Sequence, residues 1–269
     1  MVPLVPSFVE PLLPANPAQT AILETHALTR RFGGLLAVDQ LNIAVAGGDA
    51  FGLLGANGAG KSTLIKMLTT LLPPTSGTAM IAGYDVARQA ARVRREIGYV
   101  PQMGSVDGAL TARENLEVFA KLYALSKRDL ETRIPQSLAN SGLSQVGDHL
   151  VNTFSGGMGR RLEIAISTLH RPRLLFLDEP TAGLDPIARD SVWDRIQGLR
   201  EDDGMTIFLT THYMEEAERL CNRIAIMHLG KVAAIGAPQE LKDSLGKPGA
   251  TMDDVFIHYA GQVAAHPEG

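Results

Sequence analysis

The first half of the chain shows a change from strand-like to helix-like spacing of apolar residues. After a proline-rich start at residues 1–20, residues 21–54 consist of short alternating or apolar runs that are broken by Gly-Gly and Gly-Gly-Asp, a pattern typical of strands and turns. The following KSTLIKMLTTLL places Leu64, Leu68 and Leu71 on one helical face. The pattern predicts a strand that leads into a glycine-rich turn and a helix that leaves it.

The middle of the chain has helical spacing. The segment TARENLEVFAKLYAL opens with Thr111 and Glu114 in the spacing of a capping box. The segment KRDLETRIPQSLANSGL follows and is rich in helix formers. We therefore expect residues 102–165 to form an α-helical insert.

Compact apolar runs return in RLLFLDEP and MTIFLTTH, and helical segments such as PIARDSVWDRIQGLRE separate them. Unbroken runs of this length are typical of strands that are buried on both faces of a parallel sheet. The chain shows no internal repeat and no sustained heptad pattern. The predicted fold class is therefore α/β, with a mostly parallel sheet interrupted by the helical insert.

Composition and charge narrow the possible partners. The 269 residues are 45% hydrophobic and 20% charged, as in ordinary globular proteins. A net charge of −4 does not favour a broad attraction to nucleic acid or to an anionic membrane, so we expect no nucleic-acid partner and only local phosphate binding. The single cysteine, Cys221, excludes an internal disulfide and favours a reducing, cytoplasmic compartment.

The first twenty residues are interrupted by five prolines, which prevent an apolar helix: Pro3, Pro6, Pro11, Pro14 and Pro17. We interpret this segment as a flexible tail and neither a signal peptide nor a membrane span. No later stretch offers about 18 uninterrupted apolar residues. A membrane pore, if the function needs one, would come from another chain.

The stretch GANGAGKST at residues 55–63, the phosphate loop, has the pattern G-x-x-x-x-G-K-S. Glycines allow backbone N–H groups to surround phosphate oxygens, and the following helix directs its positive N-terminal end at them. Lys61 can reach the β- and γ-phosphates, and the Ser62 hydroxyl can bind Mg²⁺. A flexible turn that matches by chance is the alternative, but the strand before and the helix after favour the phosphate loop. The residues expected at the phosphates are Asn57, Gly58, Ala59, Gly60, Lys61, Ser62 and Thr63.

Two acids and a histidine follow later strands. Asp178 and Glu179 stand where a buried strand reaches the carboxyl edge of the sheet, where ligands of such folds bind. Asp178 suits Mg²⁺ and Glu179 suits a water; for an isolated Asp-Glu pair, a solvated turn would be the simpler interpretation. His212 ends MTIFLTTH and would lie beside the phosphates as a hydrogen-bond donor.

Together these residues resemble the nucleotide-binding subunit of ATP-binding cassette (ABC) transporters, over about residues 21–260. IGYVPQ supplies the glutamine expected after a strand, and AGLDP resembles the D-loop. FSGGMGRRLEIA resembles the signature segment Leu-Ser-Gly-Gly-Gln, with departures at its first and last positions. Phe32 in RRFGG is the expected aromatic partner of adenine. The residues carried over by this resemblance are Phe32, Gln102, Ser155, Gly156, Gly157, Asp185 and His212.

The resemblance implies a P-loop NTPase fold: a RecA-like, mostly parallel core with an antiparallel β subdomain, an α-helical subdomain and a helical extension. The implied bounds are 21–101 with 166–236 for the core, 102–165 for the helical subdomain and 237–269 for the extension. ATP and Mg²⁺ are the implied cofactors. Glu179, His212 and Gln102 are the implied catalytic residues, and Ser62, Gln102 and Asp178 the implied metal ligands.

The same resemblance implies the assembly. Two ATPase subunits, expected to be identical, would pack head to tail so that Ser155 and Gly157 of one close on the nucleotide held by Lys61 of the other. A transmembrane permease on a separate chain would hold the dimer at the inner face of the cell membrane.

The C-terminal TMDDVFIHYAG resembles ATPase subunits of the daunorubicin-resistance type, which are ABC-2 exporters, and so indicates efflux. An ordinary amphipathic terminal helix is the alternative. Two other functions compete. A soluble cassette ATPase of translation or DNA repair usually has a second cassette or a long coiled coil, and this sequence has neither. A small-molecule kinase would leave the Ser155 segment and His212 without a role.

Overall fold

The computed structural model describes residues 21–264, with side chains to residue 261. The predicted tail at 1–20 and the end of the predicted extension, 265–269, lie outside the described residues. The strands are β1 (Ala21–Phe32), β2 (Leu35–Leu41), β3 (Ala44–Ala46), β4 (Ala50–Leu54), β5 (Ser76–Ile81), β6 (Tyr84–Asp85), β7 (Ile97–Val100), β8 (Leu174–Asp178), β9 (Thr206–Thr211), β10 (Arg223–His228) and β11 (Lys231–Gly236). The α-helices are α1 (Lys61–Leu68), α2 (Ala90–Glu96), α3 (Ala112–Leu122), α4 (Lys127–Asn140), α5 (Gly156–Thr168), α6 (Pro186–Glu201), α7 (Met214–Leu220), α8 (Pro238–Asp243) and α9 (Met252–Ala264).

The larger sheet has the strand order β11-β10-β4-β9-β8-β7. The pairs from β10 to β7 are parallel, and β11 adds an antiparallel edge. In register, Leu54 pairs with Thr211 and Asp178 pairs with Thr210. Strands β4, β8 and β9 therefore end at one edge, where the segments that follow them meet. The predicted mostly parallel α/β core is confirmed.

The smaller sheet is antiparallel, with the order β2-β1-β5-β6 and with β3 also paired to β1. Strand β1 reaches the end of this sheet at Phe32, and the turn Gly33-Gly34 leads into β2. This sheet confirms the predicted antiparallel β part of the fold class, and it carries the predicted adenine partner.

Helices α3, α4 and α5 share an apolar cluster of their own, which contains Leu116, Leu138 and Leu162. The predicted capping box at the start of α3 is confirmed: the Thr111 hydroxyl accepts the N–H of Glu114 at 3.1 Å, and the Glu114 carboxylate accepts the N–H of Thr111 at 2.8 Å. The helical part of the fold class is thus present, whereas the bounds at 102, 166 and 237 stay predictions.

Helix α1 is shorter than its sequence pattern predicts. Leu64 and Leu68 are buried on its core face, but Leu71 is 63% exposed and lies beyond the helix end, so its predicted place on that face is wrong. Thr70 adopts a left-handed conformation (φ 64°), and the N–H groups of Leu71 and Leu72 turn back to the carbonyl of Lys66. This closing turn satisfies a terminal carbonyl and ends the helix.

Within residues 21–264, no helix combines the length and the apolar composition that crossing a bilayer requires.

Candidate functional site

The phosphate loop leaves β4 at the edge of the large sheet and enters α1. Gly60 has φ 108°, a conformation that L side chains rarely adopt, and a Cβ there would overlap the carbonyl of Ala37. A Cβ at Gly55 would lie 2.6 Å from the carbonyl oxygen of Met227. Both glycines of the motif are therefore required by close backbone approach, which is the reason the sequence uses so little side chain here.

A cavity of about 550 Å³ opens above the loop. Its lining contains most of the residues predicted to bind nucleotide, namely Phe32, Asn57, Gly58, Gly60, Lys61, Ser62 and Thr63, and it also contains Gln102 and Glu179, which were predicted to be catalytic. The predicted Ala59 is buried under the loop and packs into the core, so only its backbone could serve a ligand. One concave surface thus combines an aromatic ring, a phosphate loop and a carboxylate.

Lys61 is buried at the centre of this cavity. Its Nζ donates to the carbonyls of Gly55 at 2.7 Å and Ala56 at 3.2 Å, and it lies 3.4 Å from Oε1 of Glu179. Burial lowers the pKa of Lys61, and the charges of Glu179 and Asp178 partly offset this. The loop thus holds a cation in a desolvated position, where its attraction to an anion is strong.

Of the three residues predicted to be catalytic, Gln102 and His212 lie against the carboxylate of the third, Glu179. Gln102 donates its side-chain N–H to Oε2 at 3.1 Å. His212 places Nδ1 at 3.3 Å from the same oxygen, without hydrogen-bond geometry. Glu179 itself has φ 49°, an uncommon backbone conformation that costs on the order of 1 kcal/mol and is frequent at functional sites.

Thr210 fixes both acids, a role that was not predicted from the sequence. Its hydroxyl donates to Oδ1 of Asp178 at 2.6 Å, and its hydroxyl and carbonyl oxygens accept the N–H of Glu179 at 3.2 and 3.0 Å. The residue is fully buried on β9, beside β8. The sequence did contain a signal for this role, namely a hydroxyl inside the apolar run MTIFLTTH, because a buried polar group needs a hydrogen-bond partner.

The predicted metal ligands Ser62, Gln102 and Asp178 offer the oxygen atoms that Mg²⁺ prefers. Among residues 21–264, no group of three or more His, Cys, Asp or Glu side chains could hold a metal ion. This donor set fits an ion that takes further ligands from phosphate and water, as Mg²⁺ does in nucleotide sites. It does not fit an ion held by the protein alone.

The signature segment, residues 155–157, lies apart from the cavity lining. Ser155 is the N-cap of α5, and its hydroxyl accepts the N–H of Met158 at 3.3 Å. Asp185 is the N-cap of α6 and accepts the N–H of Ala188 at 2.9 Å. A Cβ on Gly157 would lie 2.7 Å from the Cβ of Ala188. The structure therefore brings the segment and Asp185 together in a second group, at the starts of two neighbouring helices.

A buried ion pair on α5, also missed from the sequence, holds the loop that carries Gln102. Arg160 donates to the carbonyls of Pro101 at 2.8 Å and Gln102 at 3.1 Å, and its Nη1 lies 2.9 Å from Oε2 of Glu163. Glu163 also accepts the N–H of Ser105 at 2.6 Å. Burial raises the pKa of Glu163, and the Arg160 charge opposes this shift. Helix α5, which begins at the signature segment and is called the signature helix below, is thus connected through Gln102 to Glu179.

The ABC transporter family model matches residues 38–182, more than half of the chain. The chain belongs to the ABC transporter family. That match contains the phosphate loop, the signature segment and both acids. The family consists of ATPases, and this chain is an ABC-type ATPase.

Two curated relatives of this ABC ATPase cover most of it. The daunorubicin/doxorubicin resistance ATP-binding protein DrrA of Streptomyces peucetius is 46% identical over 231 residues, which are 86% of this chain and 70% of the relative. The Nod factor export ATP-binding protein I of Cupriavidus metallidurans is 43% identical over 225 residues, 84% of this chain and 74% of the relative. The resemblance to daunorubicin-resistance ATPases is confirmed.

Solved structures agree with the P-loop NTPase fold. The ATP-binding subunit of an ABC transporter matches with a TM-score of 0.79 and 32% identity, over 88% of this chain and 99% of that one. A dimeric ATP-binding cassette in a post-hydrolysis state, bound to ADP and Pi, matches with a TM-score of 0.71 and 26% identity, over 80% of this chain and 98% of that one.

The buried pair predicts a non-additive pair of substitutions. Arg160→Met should destabilise the protein by about 3–5 kcal/mol, because it leaves the Glu163 carboxylate buried without its counter-charge. Arg160→Met with Glu163→Leu should recover most of this loss, since no buried charge remains. Urea unfolding measures the free energy of unfolding for each variant.

The matched control is Arg113→Met, which removes the exposed ion pair between Arg113 and Asp148. It should cost much less, because water screens that pair. The comparison also needs the single variant Glu163→Leu. If the double variant lost the sum of the unfolding free energies lost by the two single variants, the two charges would not depend on each other.

Proposed function

We propose that this chain is the ATP-hydrolysing subunit of an exporter and that two copies close head to tail around two ATP molecules. The observation that carries the proposal is the separation of two nucleotide-binding groups within one chain. The cavity around Lys61 has Glu179 and Phe32 in its lining, while the signature residues Ser155 and Gly156 are exposed elsewhere. A second copy would bring the missing group to each cavity.

Helix physics supports this arrangement. Helix α5 has 13 residues, and its exposed N-terminus offers N–H groups and the Ser155 hydroxyl, which favour an anion. The cavity of the same chain already has a phosphate loop and a buried Lys61. The natural ligand of the Ser155 end is therefore the γ-phosphate in the other copy. The similar solved cassette is described as a dimer with ADP and Pi, which supports the same assembly here.

The roles of the cavity residues follow from their geometry. Lys61 binds the phosphates by a charge-assisted contact, and Glu179 orients and activates the attacking water. Gln102 holds the Glu179 carboxylate, and His212, which lies beside that carboxylate, would donate a hydrogen bond to the γ-phosphate. Ser62, Gln102 and Asp178 would hold Mg²⁺, which neutralises phosphate charge when it is bound. Phe32 stacks on adenine.

We base the proposed export function on the relatives, which are named for daunorubicin resistance and for Nod factor export. We propose that the cargo passes through a transmembrane subunit on a separate chain, with the ATPase at the cytoplasmic face. The loop after Gln102 and the outer face of α3 expose Met103 (81%) and Leu122 (73%). We place the membrane subunit at these two apolar side chains. Met103 directly follows Gln102, whose backbone carbonyl accepts a hydrogen bond from Arg160.

The role of Glu179 predicts a trapped state. Glu179→Gln should lower ATP turnover by about 10²–10⁴-fold, because water activation is lost. ATP should bind at least as tightly as in the wild type, since the substitution also removes the ion pair with Lys61. The closed dimer should then accumulate with ATP, as measured by light scattering after gel filtration.

Lys61→Ala in the Glu179→Gln background is the control and should stay monomeric, because tight phosphate binding is lost. Wild-type turnover in the Glu179→Gln protein would mean that Glu179 is not the base.

The partner assignment is tested with tagged protein in detergent-solubilised membranes of the native cell. We expect a polytopic membrane protein to co-purify with the chain, and the substitutions Met103→Asp and Leu122→Asp to weaken its recovery, because they charge an apolar contact. Recovery of only ribosomal or DNA-bound proteins would instead support the soluble cassette ATPase of translation or repair.

A further inference from the structure

Arg30 and Phe32 lie two residues apart on β1 and therefore point to the same side of the strand. The guanidinium carbon of Arg30 lies 4.5 Å from the centroid of the Phe32 ring, within the range of a cation–π contact. The residue Phe32 is 44% exposed. One face of this ring is thus covered by a cation belonging to the same strand.

The Arg30 side chain is fixed from a second direction. Its Nη1 donates to the carbonyl of Pro73 at 2.8 Å, in the segment after α1. The backbone N–H of the next residue, Arg31, donates to the Thr75 hydroxyl at 3.0 Å. The register of β1 against β2 shifts on both sides of Arg30, and the extra residues lie on β2, so the alternation of side chains along β1 is kept. The segment that contains Pro73 therefore restrains the guanidinium, which is not a freely moving surface cation.

Among the described residues, the lining of the nucleotide cavity contains Phe32, Leu35 and Ala37 but not Arg30. The ring face that is not covered by the guanidinium is therefore the one available to a planar ligand in the cavity. A cation on one face also leaves the preferred stacking geometry on the other face open.

We infer that Arg30 is a positioning residue for the nucleobase: it stacks behind Phe32 and holds the ring ready for adenine. The inference rests on the proposed function, in which Phe32 stacks on adenine. An exposed ring loses side-chain freedom when a base stacks on it, and a ring that is already held loses less. Arg30 therefore affects the binding of the base and leaves the binding of the phosphates unchanged.

The test compares ADP with inorganic pyrophosphate, two ligands that share a diphosphate and differ in the nucleoside. Arg30→Gln keeps a side chain that can donate to Pro73 but removes the charge. By calorimetry it should weaken ADP binding about two- to fivefold, which corresponds to the lower end of the cost of ordering one side chain. Pyrophosphate binding should not change. Arg30→Lys, which keeps a cation, should restore most of the ADP affinity.

Two controls separate positioning from a general structural effect. Arg31→Gln replaces the same residue type at the adjacent, exposed position. It should change the affinity for neither ADP nor pyrophosphate. In a Phe32→Ala background, Arg30→Gln should have no further effect on ADP, because the two residues act as one unit.

An equal loss of ADP and pyrophosphate affinity in Arg30→Gln, or no loss of either, would overturn the inference while leaving the proposed function intact. Failure of the wild-type protein to bind ADP at all would overturn the proposed function itself and the inference with it.

Discussion

The parallel register of β4, β8 and β9 is the constraint on which the site depends. Pairing of Leu54 with Thr211 and of Asp178 with Thr210 brings three strand ends to one edge of the sheet. The phosphate loop, the two acids and His212 follow these ends directly. A shift of one residue in the pairing of β8 with β9 would turn the Thr210 hydroxyl away from Asp178, because side chains alternate between faces.

Glu179 is where the separate parts of the molecule meet. Lys61 from the phosphate loop, Gln102 from the loop after β7 and His212 from the end of β9 all lie against its carboxylate. Arg160 on the signature helix holds the backbone of the Gln102 loop. A continuous chain of polar contacts therefore runs from the helix that would meet a second copy to the residue that would activate water.

Much of this could be predicted from the sequence, because the signals were local. The phosphate loop, the capping box at Thr111 and the buried strands each follow from short patterns of residue type. Two of the features that escaped prediction did so for different reasons, one because it depends on a tertiary contact and the other because the helix ends early. Thr210 looks like any strand residue until β8 is placed beside it, and Leu71 fits a helical face although the chain has already turned at Thr70.

The central claim is that each copy holds part of a catalytic site and that another copy completes it. The most direct measurement is the ATPase activity of mixed variants, one with Lys61→Ala and the other with Ser155→Arg. Each variant alone should be inactive, since any site that two of its copies could form would carry a defect. In mixed dimers one site receives the intact phosphate loop of one copy and the intact signature segment of the other, so equal mixing should restore up to roughly a quarter of wild-type activity. No recovery in mixtures shown to contain mixed dimers, or full activity of the Ser155→Arg protein alone, would contradict the account.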